Sequence, residues 1–105
     1  MLKQVVRTCF VSLLAAGTLS FAQTGADLYK SKCQMCHGAD GTGNTPAGKS
    51  TKVHSFSDPD VLKMSDDDLI AVTTNGKNKM PAYKGKLSDA QIKELIAYIH
   101  TLQKK

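Results

Sequence analysis

The sequence predicts an all-α domain of three to four short helices wrapped around a body that is not polypeptide. Three observations carry this expectation. Apolar residues recur at helical spacing, and no segment alternates as a strand would. Thr24, Ser65 and Ser88 each stand three residues before an Asp or Gln, the reciprocal pattern that opens a helix. Finally, residues 38–52, GADGTGNTPAGKSTK, form a long Gly/Thr/Ser loop with little side-chain bulk. A loop of that length in a small domain is functional, or packs on something other than protein.

Each element has a local cause. The first helix is predicted over 24–36, with Thr24 as cap, Asp27 closing the box, and Leu28 and Tyr29 as its apolar surface. Ser57-Asp58-Pro59 reads as a cap followed by proline at the first helical position, opening a short helix near 59–63. Ser65 and Asp68 open the next helix, where Leu69, Val72 and Thr73 share a face and Gly76 ends it. A second loop, KNKMPAYKGKL, covers 77–87. Ser88 caps the last helix with Gln91 as its partner, and Ile92, Leu95, Ile96, Ile99 and Leu102 make one apolar stripe. His100, Lys104 and Lys105 lie toward its C-terminal end, where positive charge is favoured. There are no internal repeats.

Residues 1–22 have the layout of a secretory signal peptide. Lys3 and Arg7 precede an apolar run from Cys9 to Leu19, and Ser20-Phe21-Ala22 is a small-x-small cleavage pattern. The run is shorter than the roughly 20 residues of a bilayer span, so no stable membrane insertion is expected. The predicted organisation is therefore a signal peptide at 1–22 and one domain at 23–105, exported to the periplasm. That domain holds twelve basic residues, all lysine, against nine acidic ones, a formal charge of +3. Such an excess can steer acidic partners, but it is too small and dispersed for nucleic acid. A core of 83 residues is marginal by itself, and domains of this size often carry a covalent or metal staple.

The staple is legible at residues 33–38, CQMCHG. A Cys33–Cys36 disulfide would close so small a loop that it adds little stability. A thioredoxin-type dithiol belongs near a βαβ pattern, which is missing. A zinc site would need a fourth ligand from His54 or His100, and adjacent Cys36 and His37 suit one tetrahedral site poorly. C-x-x-C-H is, however, the attachment pattern of a c-type haem. The two thiols add to the two vinyl groups of the porphyrin edge, and the adjacent imidazole is held beneath the iron. Cys33 and Cys36 are thus read as anchors of one covalent haem, and His37 as an iron ligand.

The sixth iron position points to Met80, with Met64 as the alternative. Met64 lies in a short apolar linker where methionine commonly fills core space. Met80 sits among lysines in a polar loop, and Pro81 favours an extended backbone there, as suits a strap across a haem face. Met35 lies within the attachment turn and is expected to point away. His54 is read as a solvent-facing loop residue, and His100 lies beside the apolar stripe.

Taken together, residues 24–103 resemble the small bacterial class I cytochromes c, which are single-haem electron carriers. Gly25 and Tyr29, eight and four residues before Cys33, match that family's first helix. ELIAYI at 94–99 matches its last helix, with Leu95 and Tyr98 as the expected contacts, and MPAYKGKLS at 80–88 its methionine loop. The resemblance implies the cytochrome c fold. It also implies that the carbonyl of Pro46 accepts a hydrogen bond from the outer nitrogen of His37, which sets the tautomer and strengthens the ligand. The 38–57 stretch departs from larger relatives in lacking bulky residues.

The expected function is one-electron transfer without substrate chemistry, by a periplasmic carrier and a monomer. Its iron, closed by His37 and Met80, keeps the same ligands in both oxidation states. Lys77, Lys79, Lys84 and Lys86 are expected to meet acidic patches on redox partners in weak, salt-sensitive docking, with Lys30, Lys32, Lys49 and Lys52 extending the rim. Two other readings stay open. A protein whose Met80 is not a stable ligand would be an open-iron gas sensor or weak peroxidase, and the same domain also serves as an electron-transfer subunit of a larger oxidoreductase.

Overall fold

All three capping boxes form. In the computed structural model, which describes residues 24–104, the Asp27 amide donates to Thr24 Oγ1 (3.2 Å), Asp68 to Ser65 Oγ (3.1 Å) and Gln91 to Ser88 Oγ (3.1 Å). The side chains of Asp27, Asp68 and Gln91 each accept in return from the cap amide. Each cap satisfies amides that would otherwise be orphaned and contributes about 1 kcal/mol. They start α1 (Gly25–Lys32), α5 (Asp66–Asn75) and α6 (Asp89–Leu102). The expected leader at 1–22 lies outside the described residues.

Three further segments complete the order α1 to α6: α2 (Gln34–His37), α3 (Pro46–Thr51) and α4 (Pro59–Leu62). The all-α expectation holds, but the helices among the described residues number six, two of them single turns. Two departures from the sequence reading explain the difference. The predicted first helix does not run through 24–36. It breaks at Cys33, whose φ of −118° leaves the helical value, and restarts as α2. The 38–52 stretch is not all loop: Thr45 caps α3 through a bond from the Gly48 amide (2.8 Å), and Pro46 occupies the first helical position. Strand geometry among the described residues is limited to two isolated bridges, Lys77–Met80 and Lys84–Leu87.

The core is the crossing of α1 and α6. Leu28, Tyr29, Ile92, Leu95 and Ile96 are almost wholly withdrawn from solvent, and each aliphatic side chain buried there gains about 2 kcal/mol. Gly25 permits the crossing. A Cβ at that position would press into the Glu94 carbonyl and lie 3.2 Å from Tyr98 Cβ. With the backbones so close, the rings of Tyr29 and Tyr98 pack at 5.2 Å. The contact expected from Tyr98 is therefore present, and Leu95 lies in the same core cluster as Leu28 and Tyr29. The Tyr29 hydroxyl donates to the Gly38 carbonyl, linking the core to the end of α2. No helix of the described residues is long and apolar enough to cross a membrane.

Candidate haem site

Beside this crossing lies a cavity of about 540 Å³. Cys33, Cys36 and His37 line it from one side, Met80 and Tyr83 from the loop after α5, and Leu95, Ile96 and Ile99 from α6. The break at Cys33 is what brings the first three together. The Cys36 and His37 amides both donate to the Cys33 carbonyl (3.3 and 3.0 Å), winding one tight turn between the two cysteines. The two sulfurs are not joined to each other.

The turn is backed by α3. Thr45 Oγ1 donates to the Cys36 carbonyl (3.0 Å) while accepting from Gly48. Gly48 presses so closely on the carbonyls of Cys36 and Gly43 that a Cβ could not fit. These two contacts explain why a segment with no apolar periodicity becomes a helix: it exists to brace the cysteine turn. Phe56 supplies the last wall. Its ring stacks on that of His37 at 4.6 Å and 19°, and it also lies 6.2 Å from the ring of Tyr29. Sequence reasoning passed over Thr45, Gly48, Phe56 and Tyr83. Phe56 carried one available signal, since it is the sole phenylalanine of residues 24–104.

Electrostatics at the site favour neutral groups. Burial lowers the pKa of His37 below the ordinary histidine value, so its imidazole is uncharged at neutral pH. Burial, with a smaller contribution from Cys36, pushes Cys33 up to about 11. Tyr83 is also raised, first by burial and then by the two cysteines. His37 Nδ1 is buried and has no hydrogen-bond partner. The bond to the Pro46 carbonyl that the resemblance implies is not formed in this structure, and Pro46 stands at the exposed start of α3.

Both candidate methionines reach the cavity. Met64 packs against the core cluster, whereas Met80 is half-buried without belonging to that packing. Met80 closes a tight turn in which its amide donates to Lys77 O (2.9 Å) and its carbonyl accepts from Lys77 (3.2 Å), with Asn78 at φ 54°. Met35 is 80% exposed at the mouth. His54 is likewise exposed and lies 3.4 Å from Asp58. His100 is engaged elsewhere, with Nε2 on Asp66 (2.6 Å) and Nδ1 on Gln103 (2.7 Å). Lys32, Lys52, Lys77 and Lys79 stand at the cavity wall, where Asp60 is the one carboxylate.

These residues fit a haem. The donors on its lining include the imidazole of His37, the two thiols and the thioethers of Met64 and Met80, the walls are largely apolar, and an imidazole nitrogen is held in the interior without a partner. Comparison with known proteins agrees. A family model described as cytochrome c oxidase, cbb3-type, subunit III matches residues 20–99. Cytochrome c6 of Thermostichus vulcanus is 35% identical over 91 residues, covering 86% of this chain and 78% of the relative. The cbb3-type cytochrome c oxidase subunit FixP of Azorhizobium caulinodans is 37% identical over 90 residues, 84% of this chain but 29% of FixP. Among solved structures, the KustC0563 c-type cytochrome superposes with a TM-score of 0.71 at 30% identity, covering 77% of this chain and 99% of that one. The chain belongs to this family of small single-haem class I cytochromes c, and with membership come a covalently bound haem c, a periplasmic station and electron transfer without catalysis.

Proposed function

We propose that the protein is an electron shuttle in which Cys33 and Cys36 anchor the haem while His37 and Met80 bind its iron. One observation carries the reading: all four side chains line a single apolar cavity on the open side of the α1/α6 crossing. Haem c, once bound there, supplies a one-electron Fe(III)/Fe(II) couple. His37 offers a neutral lone pair, because burial keeps its ring unprotonated. Its Nδ1 needs an acceptor once the other nitrogen is committed to iron, and the Pro46 carbonyl at the head of α3 is the group we assign. Met80 is preferred over Met64 because its backbone is pinned in a turn at the cavity while its side chain has no place in the core. Two neutral donors serve both oxidation states, so little need move when the charge on the metal changes, and the soft sulfur raises the potential.

Lys77, Lys79, Lys84 and Lys86 are all exposed around this loop. They suit brief docking with acidic partners, through contacts that weaken as salt screens them. A second reading is favoured by the match to the cbb3-type oxidase subunit, in which a domain of this kind forms a minor part of a longer chain. There the protein would serve as a fixed electron-transfer subunit. Association that disappears at high salt supports the shuttle, and stable co-purification with an oxidase supports the subunit.

Met80→Ala tests the ligation. The variant is expected to lose the sulfur-to-iron charge-transfer absorption of the ferric protein and to have a lower potential. If Met64→Ala does this and Met80→Ala does not, the assignment is wrong. Prompt cyanide uptake by the unaltered protein would favour the open-iron reading instead.

A further inference from the structure

The loop that carries Met80 is held mainly by its own surroundings. The Tyr83 and Lys84 amides donate to Thr73 and Thr74 at the end of α5 (3.1 and 3.0 Å), and Lys86 donates back to Tyr83 (2.9 Å). Gly76 lets the chain fold tightly here: its φ is +76°, and a Cβ would lie 2.7 Å from the Met80 carbonyl. All of these bonds join the loop to α5 or to itself. None of them ties it to the cysteine turn across the cavity, where the loop otherwise rests on the packing of Leu87 and Tyr83.

One side-chain hydrogen bond bridges that gap. The Tyr83 hydroxyl donates to the Lys32 carbonyl at 2.9 Å, across 51 positions of chain. Among the described residues it is the one side-chain hydrogen bond that joins residues 76–87 to α1. Lys32 is the last residue of α1, next to Cys33. Its carbonyl is among those left over at a helix C-terminus, so the tyrosine also satisfies a group the helix cannot. The ring itself lines the cavity wall between the two ends. Lys86 Nζ lies 6.0 Å from its centroid on the outside.

We propose that the Tyr83 hydroxyl is a tether between the methionine loop and the cysteine turn, and that it sets how readily Met80 leaves the iron. This rests on the reading that Met80 is the ligand. Tyr83 is a positioning residue: its hydroxyl is spent on the Lys32 carbonyl. It holds the segment carrying one axial donor at a set distance from the segment carrying the other. With Met80 as the ligand, opening the loop would break this bond as well as release the thioether, so the hydroxyl lowers the population of open loop.

Tyr83→Phe removes the hydroxyl and keeps the ring. In the haem-loaded protein, hydrogen exchange at the Met80, Tyr83 and Lys84 amides is expected to accelerate about two- to tenfold, the range for one hydrogen bond in a local opening. Exchange at Leu95 and Ile96 in α6 should be unchanged. Cyanide should bind the ferric variant faster by a similar factor, because it waits on departure of the sulfur. Thr101→Val, which deletes a side-chain bond to the Tyr98 carbonyl within α6 and lies off the cavity lining, serves as the control and should leave both readouts alone. Unchanged loop exchange overturns the proposal, as does acceleration spread equally to Leu95 and Ile96. Faster exchange with an unaltered cyanide rate overturns it as well, provided that Met80→Ala speeds cyanide binding. If Met80→Ala leaves cyanide binding unaltered, it is the ligand assignment that fails, and the tether's control of that ligand falls with it.

Discussion

The α1/α6 crossing and the cavity beside it are built from the same short helices, yet they are finished in different ways. At the crossing, Leu28, Tyr29, Ile92, Leu95 and Ile96 are sealed from solvent and Gly25 brings two backbones into contact. Nothing more is needed there. On the other side, Cys33, Cys36, His37, Met64 and Met80 surround a space of about 540 Å³, and a buried imidazole nitrogen has no partner. Largely apolar walls and a buried imidazole nitrogen are what a haem would require of this side. The lesson is that polypeptide alone completes half of this core and haem completes the other half.

If that division is right, damage to the two halves should look different. Phe56 belongs to both, touching Tyr29 on the core side and His37 on the cavity side. Phe56→Ala is therefore expected to have the largest effect, about 3 kcal/mol of stability for a buried aromatic. The ferric spectrum and potential should also change as His37 loses its stacking partner. Denaturant titration and redox titration of the variant check the two parts, and a stability loss with an unmoved potential would assign Phe56 to the core alone.

Gly25→Ala strikes only the finished half. The added methyl group must displace the Glu94 carbonyl or part the helices, costing about 2 kcal/mol. Thermal unfolding should occur several degrees lower, while the haem spectrum below the transition stays that of the unaltered protein. A changed spectrum in the folded state would show that the crossing and the cavity are not separable.

The smallest effect is expected at the periphery, where His100 joins the end of α6 to the start of α5 through Asp66. Its hydrogen bonds to Asp66 and then Gln103 raise its pKa above the ordinary 6.5. A raised folded-state pKa gives stability that is fully present below pH 6.5 and lost as pH rises through the folded value. Asp66→Asn should thus cost about 0.5 kcal/mol more at pH 5 than at pH 9, as for an exposed ion pair. Unfolding of both proteins measured at the two values tests the sign, and an equal loss at both would assign the contact to hydrogen bonding without charge.

The parts of the fold legible in the sequence are those made by residues close together in the chain. Thr24–Asp27, Ser65–Asp68 and Ser88–Gln91 are bonds across three positions, and the α6 stripe repeats every three or four. The cysteine pattern is equally local, since its spacing is set by the geometry of a single turn. What escaped notice acts over longer distances. Helix α3 has no apolar face of its own and forms against Cys36, through contacts nine and twelve positions away. The break at Cys33 interrupts a stretch whose residues would all suit one continuous helix.

The sequence by itself determined where α1, α5 and α6 begin, that two thiols and an imidazole share one turn, and that the chain holds too little apolar mass to fill its own centre. Tertiary structure alone decided that Thr45 and Gly48 brace that turn, that Phe56 stacks on His37, and that Tyr83 reaches Lys32. The physical reason is distance along the chain. Caps and periodicity are satisfied within a helical turn or two and can be read from neighbouring residues, whereas a contact spanning nineteen or fifty-one positions exists only where the folded chain brings distant segments together.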